Sequence, residues 1–509
     1  MIKRSMIVLF ALALGLVSPV MAQDGSPYDG VWVNPVDGII VEMENGSGTM
    51  YTIIGCYPRF EATLENDVIT ISDETSTTAV DVAIEDGALV AYYQGVAVMT
   101  FNAAESLESV CEPVEEVAAD LSAWVERPVP TEFPAIERVP NPDDYVLAKV
   151  TEIPPYNPLI SGSGQIDWRA ADLSEMDLSD ALDTLLHADF DDHTIWPEQM
   201  PPEFDWQRIM EMGANPGLGI RDLHARGITG QGVSIAIIDH ALLVDHQEYA
   251  SQLRLYEETP EIAAVAGGAD ADMHGAAVAS IAVGRTTGVA PDADLYYIAT
   301  SHGTISGEPD FVFTAAAIRR VLKINEQLPD DRKIRVISLS VGWESFNPGF
   351  DEVTAAAAEA KAAGIMVVSS SLSKVHGFRF HGLGRDPLSD PDRADSYSPG
   401  DWWDEDYYMG LSMQDENTLM FPMDARTTAS PTGPDQYVFY AEGGWSWTIP
   451  YIAGVYALAV QVDPDLTPDE FWATALATAD TIELTHEGEV MPFGPIANPV
   501  ALIDALQSE

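Results

Sequence analysis

Gly227-Ile-Thr-Gly-Gln-Gly-Val-Ser-Ile-Ala-Ile-Ile-Asp239 decides how this chain folds. Val233 to Ile238 is mostly apolar and rich in β-branched residues, as expected of a strand buried on both faces, and three glycines punctuate the turn before it. Downstream, strand and helix patterns alternate. Leu295–Ala299, Arg335–Ser340 and Ile365–Val368 read as strands; His274–Val283, Asp310–Asn325 and the alanine-rich Glu352–Ala363 read as helices. Such alternation predicts an α/β fold, a parallel sheet with right-handed crossovers and helices on both faces. Ligands of such sheets bind beyond the carboxyl ends of the strands, where the run deposits Asp239.

Two further segments place reactive side chains beside glycines and apolar helices. Asp272-Met-His274-Gly-Ala-Ala-Val-Ala offers an imidazole, able to accept and return a proton near neutral pH. Gly443-Gly-Trp-Ser446-Trp-Thr-Ile-Pro-Tyr-Ile-Ala-Gly454 offers a hydroxyl near a helix start, where backbone N–H groups favour a developing anion. Taken alone, each has an ordinary reading: Asp239 as a loop cap, His274 as a structural histidine, Ser446 as a turn residue. Their order, Asp then His then Ser, is that of one of the known serine triads.

These segments resemble the three signature blocks of the subtilisin-like serine peptidases, over about residues 205–508. Gly227–Asp239, with His246 behind it, is similar to the Asp block. Asp272–Ser280, with Gly288-Val-Ala-Pro-Asp-Ala-Asp-Leu295, is similar to the His block, and Gly444–Gly454, with Pro464-Asp-Leu-Thr-Pro468, to the Ser block. The resemblance implies that Asp239 orients His274, that His274 deprotonates Ser446, and that Ser446 forms an acyl-enzyme. It also implies that Ser340, Val341, Gly342, Ser370 and Ser371 edge a groove for an extended peptide. Trp343, Trp445 and Trp447 read equally as subsite walls and as core.

The departures from the family pattern are specific. Asp-Thr/Ser-Gly is here Asp239-His240-Ala241, and His-Gly-Thr-His is His274-Gly275-Ala276-Ala277. The block that ends in an oxyanion asparagine matches Gly364-Ile-Met-Val-Val-Ser-Ser-Ser-Leu-Ser373, which puts Ser373 at that place. Losing one such donor costs on the order of 10²–10³ in rate. The expected function is therefore a secreted serine endopeptidase acting on protein or peptide. The alternative is a catalytically weak or inactive peptide binder on the same fold.

The rest of the chain predicts four segments. Residues 1–22, with Lys3, Arg4 and a short apolar run, read as a signal peptide cut after Ala22, so the expected destination is extracellular, with the periplasm and the cell surface as variants. Residues 23–115 read as a small all-β domain, barrel or sandwich, from alternating stretches such as Gly30-Val-Trp-Val-Asn34 and turns such as Glu-Asp-Gly. Cys56 and Cys111, the chain's two cysteines, predict one disulfide in an exported protein, contributing roughly 3–4 kcal/mol by loop closure, against the reading of two separate thiols. Residues 116–204 read as a proline-rich linker or wrapping arm followed by an acidic stretch, and 205–509 as the peptidase domain.

A net charge of −57 disfavours nucleic acid and anionic membranes as partners. No apolar run after the signal is long enough to span a bilayer. No cofactor is expected for the chemistry. The acidic insert Arg385–Asp406 reads as a solvated loop, with structural Ca²⁺ as its alternative and no loop motif to specify ligands. A surface-polymer-binding role for the N-terminal module is a third reading, and the sequence leaves the oligomeric state open.

Overall fold

The computed structural model describes residues 26–508 except 35–38, 53–57, 66, 73–76, 86, 94–95, 111–120, 158–165, 266–267, 303–309, 411–414 and 487. The signal segment and both Cys56 and Cys111 lie outside the described residues. The chain divides into two compact units, Met1–Val114 and Glu115–Glu509. Among the described residues no helix is long and apolar enough to cross a membrane.

The first unit is a closed barrel of eight antiparallel strands paired in chain order, from Gly30–Asn34 to Val96–Ala104. Alternation sends Trp32, Val41, Met43, Ile69, Val82, Leu89 and Phe101 into its core. The Trp32 indole donates to the Tyr28 carbonyl at 2.8 Å, and the Tyr28 hydroxyl donates to Asp67 at 2.8 Å, so the buried rings keep their polar ends paired.

The second unit is built on a six-stranded parallel sheet. Its order is Met366–Ser369, Ile334–Leu339, Ser234–Asp239, Asp294–Ala299, Leu253–Glu258 and Ala135–Ile136. Ile235 and Ile237 point into one core, with the Met273–Val283 and Trp445–Val462 helices. Ala236 and Ile238 point into the other, with the Val312–Gln327 and Phe350–Ala362 helices. The chain crosses from one side of the Ser234–Asp239 strand to the other between Asp294–Ala299 and Ile334–Leu339. That strand is therefore a switch point, with a crevice at its carboxyl end.

The proline-rich segment is an arm laid on this unit. Ala135–Ile136 extends the sheet edge beside Leu255 and Tyr256. Arg320, wholly buried, donates to the carbonyls of Val125, Arg127 and Pro128 and pairs with Glu257 at 2.9 Å. An extended chain without internal hydrogen bonds has backbone groups to offer a partner, which explains why a linker-like composition can be built into a fold. The acidic stretch that follows is folded too: Ile166–Asp167 and Ala188–Asp191 join Tyr437–Tyr440 and Arg426–Ala429 in a four-stranded sheet.

Candidate active site

Asp239 ends its strand wholly buried, and the next residues turn back toward the Met273–Val283 helix. That helix starts on Asp272, whose backbone is extended and whose side chain accepts the His274 N–H at 2.8 Å. Gly275 allows the close approach. A Cβ there would sit 2.6 Å from the Tyr297 hydroxyl and 2.8 Å from the His240 carbonyl. His274 thereby reaches Asp239, with Nδ1 2.6 Å from Oδ1. The same oxygen accepts the His240 N–H at 2.8 Å, while Asp239 Oδ2 is buried without a partner. Burial raises the Asp239 pKa, but the charge and hydrogen bond of His274 outweigh it and hold the carboxyl below its ordinary value.

Ser446 is the second residue of the Trp445–Val462 helix, after Gly443 and Gly444. Gly443 permits a tight turn, since a Cβ on it would lie 2.5 Å from the Met423 carbonyl. Pro450 lies inside this helix rather than at its start. Having no N–H, it leaves the Ser446 carbonyl without its i+4 donor. The Ser340 hydroxyl supplies one at 3.1 Å, and the Ser446 hydroxyl in turn donates to the Ser340 carbonyl at 3.4 Å. The two serines thus clamp the helix start to the end of the Ile334–Leu339 strand. The His274 ring lies 5.5 Å from that of Trp447, next to Ser446 in the chain, but the Ser446 hydroxyl makes its bond to Ser340 and none to His274.

The remaining expected site residues differ in exposure and in their partners. Val341 and Ser370 meet through Ser370 N–H to Val341 O at 3.2 Å, and a Cβ on Gly342 would approach Ser370 to 3.0 Å. Ser340 and Ser371 are buried. The Ser371 hydroxyl accepts the Trp343 N–H at 3.0 Å and donates to the Trp343 carbonyl at 3.2 Å, so it braces the segment from inside. Ser373 sits exposed in the short Leu372–His376 helix, not paired with Ser446. Trp343 and Trp447 are buried as core, and Trp445 is partly exposed.

Three participants escaped sequence reading. His240 Nδ1 lies 3.2 Å from Asp272 Oδ1. His302 is buried with its ring 5.8 Å from that of His240, and burial pushes its pKa down to about 3. Asp424, buried, accepts the Gly443 N–H at 2.7 Å and the Asp401 N–H at 3.2 Å, bracing the turn before Ser446. Burial, with Asp401 nearby, holds its pKa well above the ordinary range. The available signals were His240 replacing the family's hydroxyl residue and Asp272 two residues before His274. Asp424 left none. In the acidic insert Asp386, Asp390 and Asp392 cap nearby N–H groups, and Asp395 pairs with Arg393.

The Peptidase_S8 model of the subtilase family matches residues 230–494, more than half of the chain. The subtilisin-like protease PopC of Myxococcus xanthus (strain DK1622) is 31% identical over 145 residues, which cover 26% of this chain and 29% of PopC. The prenylagaramide maturation protease PagA superposes with a TM-score of 0.38 at 15% identity, covering 57% of this chain and 99% of that one. The family match contains Asp239, His274 and Ser446, and the chain belongs to the subtilase family.

Proposed function

We propose that the protein is an exported serine endopeptidase acting through Ser446, His274 and Asp239. The observation that carries this reading is the 2.6 Å bond between His274 Nδ1 and buried Asp239. With Nδ1–H committed to the carboxylate, Nε2 is the nitrogen left to accept a proton. In the first step the Ser446 oxygen attacks a peptide carbonyl carbon while its proton passes to His274 Nε2. The imidazolium, steadied by Asp239, then protonates the leaving amine. Water repeats the sequence on the acyl-enzyme and restores Ser446. To reach His274 the Ser446 hydroxyl must leave the Ser340 carbonyl. At 3.4 Å that bond is long and weak, and the contact between a nucleophile and its base commonly tightens only when substrate binds.

For the oxyanion, the Trp445 and Ser446 N–H groups at the start of the Trp445–Val462 helix supply donors without intrahelical partners. Ser373, with its short side chain, would complete the hole in place of asparagine. Peptide or protein is the proposed substrate, held by the Ser340–Gly342 and Ser370 segments, with no cofactor in the chemistry. Export follows from the reading of residues 1–22.

The second reading, a peptide binder with little or no turnover, draws on two placements: Ser446 bonded to Ser340, and Ser373 exposed with no bond to Ser446. A fluorophosphonate probe separates the two. Wild type labels and Ser446→Ala does not if the serine is activated; folded wild type that stays unlabelled favours the binder. A peptide library then tests whether the activated serine cleaves amides.

A further inference from the structure

We infer that His240 is a positioning residue for the His274–Asp239 pair, forming with Asp272 a second histidine–carboxylate couple that joins strand end to helix start and sets a cation beside the reacting imidazole. This rests on the reading of His274 as general base.

The geometry is reciprocal. The His240 N–H bonds Asp239 Oδ1, the oxygen that also holds His274. The His240 ring bonds Asp272 Oδ1, the oxygen that also caps the His274 N–H. Each carboxylate oxygen therefore touches both histidines, and the couple braces the approach of helix to strand from its solvent side. The His240 and His274 rings are 5.6 Å apart.

Every packed element bears on the charge of His240. Its own strand contributes Asp239, and the helix contributes Asp272 and His274. The segment after the Asp294–Ala299 strand contributes His302, neutral with its pKa near 3, and that strand contributes Tyr297, whose hydroxyl donates to the His240 carbonyl at 2.6 Å and stays protonated. Two carboxylates thus face one imidazole. Burial lowers the His240 pKa, but the Asp272 bond and the charges of Asp239 and Asp272 outweigh it, to about 9. Asp272 is lowered to about 2: burial raises it, and the bond and charge of His240 dominate. A cation here opposes a second positive charge on the imidazole 5.6 Å away.

The test measures the fluorophosphonate labelling rate of the full chain from pH 4 to 9. In His240→Asn, which keeps a donor for Asp272 but no charge, the acid limb should move up by about 0.5–1 pH unit, as expected for one partly exposed charge at this distance. His240→Lys, which restores the charge, should keep the wild-type limb. Superimposable limbs in wild type and His240→Asn overturn the inference while leaving Ser446 an activated serine. So do equal shifts in both variants. Independently of activity, histidine-selective NMR titration should show one imidazole titrating near pH 9 in wild type and missing from His240→Asn. Absence of such a titration overturns the cation even if the wild type fails to label, an outcome that would separately refute the serine reading.

Discussion

His240 and Asp272 also tie stability to pH. The folded-state pKa of His240 is raised from 6.5 to about 9, so its contribution is fully present below 6.5 and is lost as pH climbs through 9. Unfolding midpoints of wild type should therefore fall relative to those of His240→Asn between pH 6.5 and 9; parallel curves would refute this linkage. At this scale the sequence was uneven. Asp239, His274 and Ser446 were legible because each lies in a run whose glycines and apolar neighbours fix its element. Ser373 was placed by register alone, and register does not say whether a side chain faces the nucleophile. The His240–Asp272 pair joins residues separated by a whole strand and crossover, so no local pattern announces it. The Ser340–Ser446 clamp was hidden likewise, although Pro450 was its clue: a proline inside a helix leaves a carbonyl that needs another donor.

Elements show what those residues require. The Met273–Val283 helix can approach Asp239 only with hydrogen at position 275. Gly275→Ala should push the helix start away from the His240 carbonyl, at a cost of about 1–3 kcal/mol for overpacking. It should slow labelling of Ser446 on the order of 10²-fold, the penalty for a misplacement near 1 Å. Near-wild-type labelling would mean the helix start is not held where the 2.6 Å contact implies. Strands and helices of the parallel sheet were legible wherever both faces are apolar, as in Ser234–Asp239 and Met366–Ser369. Leu253–Glu258 was not. Its Arg254, Glu257 and Glu258 interrupt the apolar pattern, yet both glutamates are buried and matched by cations. Burial works against ionised Glu257, but hydrogen bonds from Arg320 and Arg127 prevail and lower its pKa. Those partners come from elsewhere in the chain, and a window of six residues cannot contain them.

At the scale of the whole molecule the dominant quantity is a net charge of −57. Like charges over one surface repel, and dissolved salt shortens their reach from above 10 Å in dilute buffer to roughly 3 Å at 1 M. The thermal midpoint should therefore rise between low and molar salt. A midpoint that is flat or falling would indicate that the acidic side chains are already compensated. The barrel was legible as a β-module from stretches such as Gly30–Asn34, while Ser47–Thr52, Pro58–Glu65 and Thr77–Glu85 went unread because acidic and hydroxyl residues interleave their apolar positions.

The buried guanidinium of Arg320 sets the true lower border of the second unit. A gene cut to begin near residue 230, where the family-model match starts, would discard three carbonyls that cradle it and the strip of chain that covers the outermost rung at Leu255 and Tyr256. What survived would carry a half-dressed charge in oil and a raw β-edge open to strangers, so the shortest soluble version should begin before Leu121.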